Sequence, residues 1–282
     1  MGCVTLKLAL VIPTPEVQAT IPVALLTGSF TQRLEKAVQL GYDGVELMAL
    51  RPAELDPLDL RAQLSWRRLG VAAVASGAIA LLERLTLLAA DREASRRAEV
   101  RLHELIAFAA ALGAPLVTLG GFRGRLASPA WADRTAARAY LVETLGQAAQ
   151  KAAEAGVRLA LEPLNRYESD IVNTAAEGLA LIDEIGHSHL GLLLDTFHMN
   201  IEEPAYASSI EQVMDAGRLW HVHLGDSNRL PPGGGHIEFG DITAALRRTG
   251  YDGYLSAELF PLPDPDSAAE LTARHMRPLL MS

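Results

Sequence analysis

Short apolar segments alternate with longer amphipathic segments along the whole chain, and this alternation limits the folds that the chain can adopt. Eight apolar segments predict β-strands, at residues 7–12, 44–50, 71–76, 115–121, 158–164, 191–197, 220–226 and 253–259. Their first residues lie between 27 and 44 positions apart, which leaves room for one helix after each strand. The pattern therefore predicts eight consecutive strand–helix units.

The segments between the strands have the spacing and the end signals of helices. Residues 34–41 and 148–156 each end in glycine, at Gly41 and Gly156, which suits a helix C-terminus. Residues 92–113 carry apolar residues at helical spacing and charged residues on the opposite face. We therefore expect helices over these three segments.

The strands themselves are nearly continuous apolar runs, which is typical of a parallel sheet that is covered on both faces. Eight repeats of strand and helix favour an α/β fold of the closed (β/α)8 barrel type over an open doubly wound sheet. An open sheet would usually carry a glycine-rich phosphate turn after its first strand, and residues 11–18 contain no glycine. Eight units fill the chain, so we expect residues 1–282 to form a single barrel domain.

Composition excludes several classes of function. The formal net charge of −9 argues against a general nucleic-acid-binding protein, which needs a basic surface. Cys3 is the only cysteine, so an intrachain disulfide is impossible and a zinc site built from cysteines is not expected. We see neither a signal-peptide pattern nor an apolar run of about 18 residues. We therefore expect a cytoplasmic protein with no membrane partner.

Reactive side chains stand at the ends of the last four predicted strands. Glu162, Asp195, His223 and Glu258 each follow several apolar residues, where an unpaired charge is costly to desolvate. In a (β/α)8 barrel these ends converge on one mouth, where three carboxylates would repel each other. A divalent cation removes both problems, and mostly oxygen ligands with one imidazole suit Mn²⁺, Co²⁺ or Mg²⁺. Alternatively, these side chains cap helices or bind loop amides. Glu46 stands alone on its strand, and we expect no direct role for it.

Four sequence segments resemble a known family. They are residues 161–174 (LEPLNRYESDIVNT), 192–203 (LLLDTFHMNIEE), 221–239 (HVHLGDSNRLPPGGGHIEF) and 250–259 (GYDGYLSAEL). They resemble the sugar phosphate isomerase/epimerase family with the xylose isomerase-like TIM barrel, and within it the ketose 3-epimerase branch. Three further segments, LVIPT at 10–14, GVEL at 44–47 and GGFRGR at 120–125, are similar to the 5-keto-L-gluconate epimerase group, which acts on keto sugar acids.

The resemblance implies a role for each matching residue. The four metal ligands would be Glu162, Asp195, His223 and Glu258. The two acid/base groups would be Glu162 and Glu258, and the substrate's carbonyl end would be held by Glu168, His198 and Arg229. One divalent ion, Mn²⁺ in the first place and otherwise Co²⁺ or Mg²⁺, would be the cofactor. Relatives are often dimers or tetramers, so a homo-oligomer is also implied.

The chemistry of epimerisation agrees with these roles. Inverting C3 of a ketose requires removal of a weakly acidic C–H proton, and a metal that acts as a Lewis acid stabilises the resulting enediolate. Inversion then needs a proton on the opposite face, which a second carboxyl group can deliver. A single base that moves one proton would instead suit an aldose–ketose isomerase, such as a hydroxypyruvate isomerase. We keep that activity as the alternative.

Two arginines after the fourth strand bear on the substrate. Arg123 and Arg125 would lie at the active-site face, and a guanidinium binds a carboxylate with two hydrogen bonds. In an acidic protein this favours a keto sugar acid over a neutral ketose, although two solvated loop arginines are the alternative. His221 and His223 are two residues apart on one strand, so both point to the same face. His223 is nearer the C-terminal end of the strand, so His221 should lie deeper in the barrel. His236 is expected in a surface loop.

Two further classes compete with the epimerase. An abasic-site endonuclease of the same fold needs a three-zinc cluster and a basic groove, which the few histidines and the acidic balance disfavour. A barrel that keeps a metal only for stability, or binds a sugar as a sensor, is the non-enzymatic alternative. For the epimerase, the expected partner is a small sugar or sugar acid, with no nucleic acid and no membrane.

Overall fold

The computed structural model describes residues 5–281, and Cys3 lies outside this range. Eight parallel strands form a closed barrel in which each strand pairs with its neighbour in the sequence. The strands are β1 (Lys7–Pro13), β2 (Gly44–Met48), β3 (Gly70–Ala75), β4 (Leu116–Leu119), β5 (Arg158–Leu161), β6 (Leu190–Asp195), β7 (Leu219–Leu224) and β8 (Tyr254–Ala257). The predicted (β/α)8 barrel is confirmed, and the open sheet is excluded because β8 pairs with β1.

The strands end earlier than the apolar pattern predicts. β5 ends at Leu161 and β8 ends at Ala257, so Glu162 and Glu258 are the first residues beyond the strands. The pattern overshoots because buried residues continue into the loops at the barrel mouth, where Pro163, Leu164 and Leu259 are also buried. The chain thus leaves the barrel at the residues that carry the reactive side chains.

Helices follow the strands and cover the outside of the barrel. They are α1 (Phe30–Gln39), α2 (Pro57–Trp66), α3 (Gly77–Leu82), α4 (Arg92–Leu112), α5 (Arg134–Glu154), α6 (Ala175–Ile185), α7 (Thr196–Glu202), α8 (Tyr206–Asp215), α9 (Phe239–Arg248) and α10 (Pro265–Met281). Short 3-10 turns lie at Pro52–Glu54 and Gly121–Arg123. The three predicted helices correspond to α1, α4 and α5. Gly41 and Gly156 follow α1 and α5 with φ of +79° and +69°, a backbone conformation that glycine adopts without strain.

The apolar character of the strands is explained by burial on both sides. Every residue of β2 and of β6 is buried, as expected when helices cover the outer face and side chains fill the interior. A polar residue inside such a strand therefore needs a partner within the barrel. Across residues 5–281, no helix combines the length and the apolar character needed to cross a membrane.

Candidate metal centre at the barrel mouth

Four side chains from consecutive strands meet at the C-terminal mouth of the barrel. Glu162 follows β5, Asp195 ends β6, His223 lies in β7 and Glu258 follows β8. One donor atom from each lies within 4.8 Å of the donor atoms of the other three. They converge because parallel strands of a closed barrel direct their C-terminal ends to the same side.

The imidazole of His223 is the centre of this group. Its Nδ1 lies 3.6 Å from Glu162 Oε1, 3.9 Å from Asp195 Oδ2 and 3.5 Å from Glu258 Oε2. Glu162 Oε1 and His223 Nδ1 are buried and have no hydrogen-bond partner among the described residues. A buried polar atom without a partner is costly, and both atoms are metal donors. The three oxygens and one nitrogen therefore fit a divalent ion.

The charges at the site point to the same conclusion. Three carboxylates surround the centre, and the Arg229 guanidinium donates to Asp195 Oδ2 at 3.0 Å and to Glu258. When His223 serves as a neutral metal ligand, these groups carry a net charge of −2, which a divalent cation neutralises. Without metal, burial raises the pKa of Asp195 and of Glu258. Arg229 outweighs this for Asp195, and the protonated His223 ring with Arg229 outweighs it for Glu258, so both pKa values lie below their usual range. Both carboxyls are thus charged at neutral pH.

Two more predicted site residues border this centre. His198 is buried, and its Nδ1 accepts a hydrogen bond from the Asn165 backbone N–H at 3.3 Å and faces the Asn165 amide nitrogen at 2.8 Å. Because Nδ1 accepts these bonds, the ring proton belongs on Nε2, which lies 3.8 Å from Glu162 Oε1. A protonated ring nitrogen donates hydrogen bonds and does not bind a metal. Glu168 accepts from the same Asn165 amide at 2.8 Å and lies at the rim.

A cavity of about 360 Å³ opens above the candidate centre. Its charged and imidazole-bearing lining residues are Glu162, Glu168, His198, His223, Arg229 and Glu258. The remaining wall is mostly apolar and includes Val23, Leu81, Leu164, Phe197 and Phe260. The size suits a small molecule, which a few polar groups can orient in a mostly apolar cavity.

Arg123 does not reach this cavity, and its predicted contact with a substrate carboxylate has to be corrected. The side chain is 1% exposed. Its guanidinium donates to the backbone carbonyls of Leu119 at 2.9 Å, of Ile171 at 3.2 Å and of Glu162. The arginine therefore links the end of β4 to the segment after β5, which carries Glu162. Its guanidinium donates its hydrogen bonds to backbone carbonyls inside the protein, so we expect a structural role for Arg123.

Arg125 also lies outside the lining of the cavity. It is exposed, and its Nη2 donates to the carbonyls of Tyr167 at 3.0 Å and Glu168 at 2.8 Å. It borders a neighbouring hollow that shares Gly121 and Glu168 with the cavity. Arg125 is therefore placed to support the loop that carries Glu168. The structure brings together the other seven predicted site residues, but not the two arginines.

The sequence patterns assign no role to two residues that contact the site in the structure. Gly120 follows β4, and a Cβ atom there would lie 2.2 Å from Glu162 Oε2. The double glycine at 120–121 was available as a signal, since paired glycines often mark a close approach of the backbone. The second residue is Glu46, which is fully buried and bonds to both His221 and His223. A glutamate inside an apolar strand was its signal.

His236 lies in the loop between β7 and α9 and is exposed. Its Nδ1 lies 3.0 Å from the hydroxyl of Ser227, so the ring is held within its own loop. It is not among the residues that line the cavity.

Comparison with known proteins shows the family to which the chain belongs. A family model described as the xylose isomerase-like TIM barrel matches residues 34–279. The chain belongs to the xylose isomerase-like TIM barrel family.

Curated relatives narrow the class. The L-ribulose 3-epimerase of Mesorhizobium japonicum is 37% identical over 228 residues, which cover 79% of this chain and 72% of the relative. The D-psicose 3-epimerase of Enterocloster bolteae is 42% identical over 139 residues, which cover 49% of this chain and 46% of the relative. The ketose 3-epimerase of Arthrobacter globiformis is 31% identical, with 80% and 76% covered.

A solved structure supports the same relationship. A structure of L-ribulose 3-epimerase superimposes with a TM-score of 0.80 at 28% identity and covers 98% of this chain and 95% of that chain. The predicted resemblance to the ketose 3-epimerase branch is therefore confirmed, and the chain is an enzyme of the isomerase class with epimerases as its relatives.

Proposed function

We propose that this protein is a divalent-metal-dependent epimerase that inverts C3 of a free ketose. The observation that carries the proposal is the convergence of Glu162, Asp195, His223 and Glu258, two of whose buried donor atoms have no hydrogen-bond partner among the described residues. This arrangement supports one divalent ion, and the mostly oxygen donor set favours Mn²⁺, with Co²⁺ or Mg²⁺ as alternatives. When bound, such an ion makes the carbon next to the substrate carbonyl more acidic.

Glu162 and Glu258 are the proposed acid/base pair. They follow β5 and β8, with β6 and β7 between them, so they can face a sugar from two sides. One carboxylate takes the proton from C3, and the other carboxyl group returns a proton to the opposite face. This division of work gives inversion, whereas one base acting alone returns the proton to the same face.

The remaining residues hold the substrate. His198 carries its proton on Nε2 and can donate it to a substrate oxygen, while Arg229 and Glu168 line the same cavity. Arg229 is held by Asp195 and Glu258, so its position is set before the sugar enters. We assign these three residues to substrate binding.

A neutral ketose fits the cavity better than a keto sugar acid. Arg229 is the only arginine or lysine among the lining residues, and its guanidinium is already bonded to two carboxylates. A substrate carboxylate would meet the negative charge of Glu168 with no free cation in the cavity wall to balance it. We therefore propose neutral ketoses of the kind named for the relatives, L-ribulose and D-psicose, as the substrate class. The cytoplasmic location and the oligomeric state stay predictions.

Assays with and without metal test this function. The protein is treated with a chelator, reloaded with Mn²⁺ or Co²⁺, and offered L-ribulose, D-psicose, D-tagatose, 5-keto-L-gluconate and D-tagaturonate in heavy water. We expect metal-dependent turnover of the neutral ketoses with deuterium at C3. Exchange confined to C1, with an aldose as product, would establish the isomerase instead. Preference for the two acids would overturn the neutral substrate class.

A further inference from the structure

A buried hydrogen-bond network lies directly beneath the candidate metal centre. Glu46 in β2 is 0% exposed and faces His221 and His223 across the barrel interior. A carboxylate at this depth persists only where hydrogen bonds and opposite charge offset its desolvation.

The acceptors of Glu46 are fully used. Oε2 lies 2.8 Å from His221 Nε2 and 3.1 Å from His223 Nε2. Oε1 lies 3.2 Å from His223 Nε2 and accepts from the Thr118 hydroxyl at 3.2 Å. An ionised carboxylate only accepts hydrogen bonds, so each of the two Nε2 atoms carries a proton.

This arrangement determines which nitrogen of His223 is free. Nε2 keeps its proton whatever the charge of the ring, because Glu46 accepts it. Nδ1 is the atom that faces Glu162, Asp195 and Glu258, and it alone can exchange a proton for a metal ion. A histidine ligand whose second nitrogen donates to a carboxylate is held in one tautomer and one orientation.

Glu46, His221 and His223 also have donor atoms close enough to suggest a second metal site. The contacts within this group are already explained as hydrogen bonds, and each has a donor and an acceptor. In contrast to the candidate metal centre, no atom of Glu46 or of the His221 ring is among the buried side-chain atoms without a partner. Glu46 and His221 therefore form a hydrogen-bonded support beneath the candidate metal centre.

We propose that Glu46 is a positioning residue that holds the proton of His223 on Nε2 and thereby presents Nδ1 to a single divalent ion. This inference rests on the role of His223 as a metal ligand in the proposed function. It assigns a function to a residue whose strand, β2, is not a neighbour of β7, the strand that carries the ligand.

Two measurements on the isolated protein test the proposal without an activity assay. The first is the affinity of chelator-treated protein for Mn²⁺, measured by calorimetry for the wild type and for Glu46→Gln. Glutamine has the shape of glutamate, but it is uncharged and only its carbonyl oxygen, one of the two terminal atoms, can accept from an imidazole. We expect binding that is about 10- to 100-fold weaker, as is typical when such a supporting partner is lost. Thr118→Val is the matched control, since it removes one hydrogen bond from the same carboxylate and leaves both imidazole contacts, and it should bind Mn²⁺ within about threefold of the wild type.

The second measurement needs no variant and so does not depend on the folding of Glu46→Gln. Histidine side chains are labelled with ¹⁵N, and the wild-type protein is titrated with diamagnetic Zn²⁺ or Mg²⁺. We expect His223 to keep its proton on Nε2 throughout, with one metal ion bound per chain and the metal-induced shift at Nδ1. A proton on Nδ1 in the loaded protein, two bound ions, or unchanged Mn²⁺ affinity in Glu46→Gln would overturn the proposal.

Failure of this inference can be told apart from failure of the proposed function. Metal-dependent C3 exchange with unchanged affinity in Glu46→Gln removes the role of Glu46 and leaves the epimerase. Weakened affinity in a protein that turns over no ketose leaves the role of Glu46 and removes the substrate class. A wild-type protein that binds neither Mn²⁺ nor Zn²⁺ contradicts both.

Discussion

At the scale of single residues, two buried donor atoms of the site carry an energetic cost. Glu162 Oε1 and His223 Nδ1 lie 3.6 Å apart and lack hydrogen-bond partners among the described residues. Leaving such an atom unsatisfied costs roughly 1–3 kcal/mol, which the rest of the fold has to offset. Sites with this cost are kept where they serve a function, so the most specific predictions concern these residues and their neighbours.

Loss of either proposed acid/base group should abolish most of the turnover. For Glu162→Gln and Glu258→Gln we expect kcat on a neutral ketose to fall by about 10²- to 10⁴-fold, the usual contribution of one acid–base group. Steady-state kinetics at saturating Mn²⁺ measures this, with metal content determined in parallel because both residues are also proposed ligands. Exposed Glu270 provides the control variant, Glu270→Gln, which should match the wild type. Turnover unchanged in either test variant would contradict the mechanism.

The glycine pair after β4 offers a test with a built-in control. A Cβ at Gly120 would lie 2.2 Å from Glu162 Oε2, whereas a Cβ at Gly121 would meet no heavy atom within 4 Å. Gly120→Ala should therefore displace the Glu162 carboxylate and lower kcat by about 10²-fold, as displacements near 1 Å commonly do. Gly121→Ala should remain close to the wild type. Equal kinetics for the two variants would show that Glu162 needs no such space.

At the scale of elements, the loop between β7 and α9 is organised by Asp226. Its carboxylate is buried and accepts backbone N–H groups from Ser227 at 2.7 Å, Gly233 at 2.9 Å and Ile237 at 3.1 Å. Within this loop Arg229 has a φ of +60°, an uncommon conformation for a side-chain-bearing residue. The loop therefore holds Arg229 in an orientation that points its guanidinium at Asp195 and Glu258 of the candidate metal centre.

Replacing Asp226 should loosen this loop. In Asp226→Asn one oxygen becomes an NH2 group that faces a backbone N–H, so we expect a loss of roughly 1–3 kcal/mol of unfolding free energy. The KM for the ketose should rise because Arg229 is less well placed. Urea unfolding and steady-state kinetics measure the two effects, and the exposed Asp215→Asn serves as control. A change in stability with an unaltered KM would separate the loop from substrate binding.

The same carboxylate predicts a dependence on acid. Burial raises the pKa of Asp226, but the N–H groups of Ser227 and Ile237 outweigh it and lower the pKa below its ordinary 3.8. A group with a lowered pKa stabilises the fold above the unfolded-state value and loses this contribution as the pH falls through the folded-state value. The stability advantage of the wild type over Asp226→Asn should therefore be constant near neutrality and shrink below about pH 4. An advantage that grows on acidification would be inconsistent with the burial of a charged Asp226.

At the scale of the whole molecule, a bound ion would join four consecutive strands of the barrel. Binding only to the folded state stabilises it by about 2.7 kcal/mol at a free concentration one hundred times Kd. We therefore expect Mn²⁺ to raise the melting temperature and a chelator to reverse the effect. Asp195→Asn should reduce the shift because it removes a charged donor. A melting temperature that is independent of Mn²⁺ in the wild type would contradict the proposed centre.

The sequence is enough to predict the barrel and the position of the site residues at the strand ends. Alternating apolar and amphipathic segments predict the barrel, because period and length are local properties of a chain. The position of Glu162 and Glu258 just beyond apolar strands predicts where they meet, since all parallel strands of a closed barrel end at one mouth. These inferences need the order of elements and no atomic detail.

The tertiary structure alone decided what surrounds those residues. Glu46 and His221 lie 175 positions apart in the chain, and they meet only because the closed barrel brings β2 and β7 to a shared interior. Arg123 follows a strand just as a substrate-binding arginine would, but packing turns its guanidinium inward to three carbonyls. Chain order determines which residues reach the mouth. The direction of a long side chain there depends on the acceptors and the space that distant segments supply, and a local pattern carries no record of either.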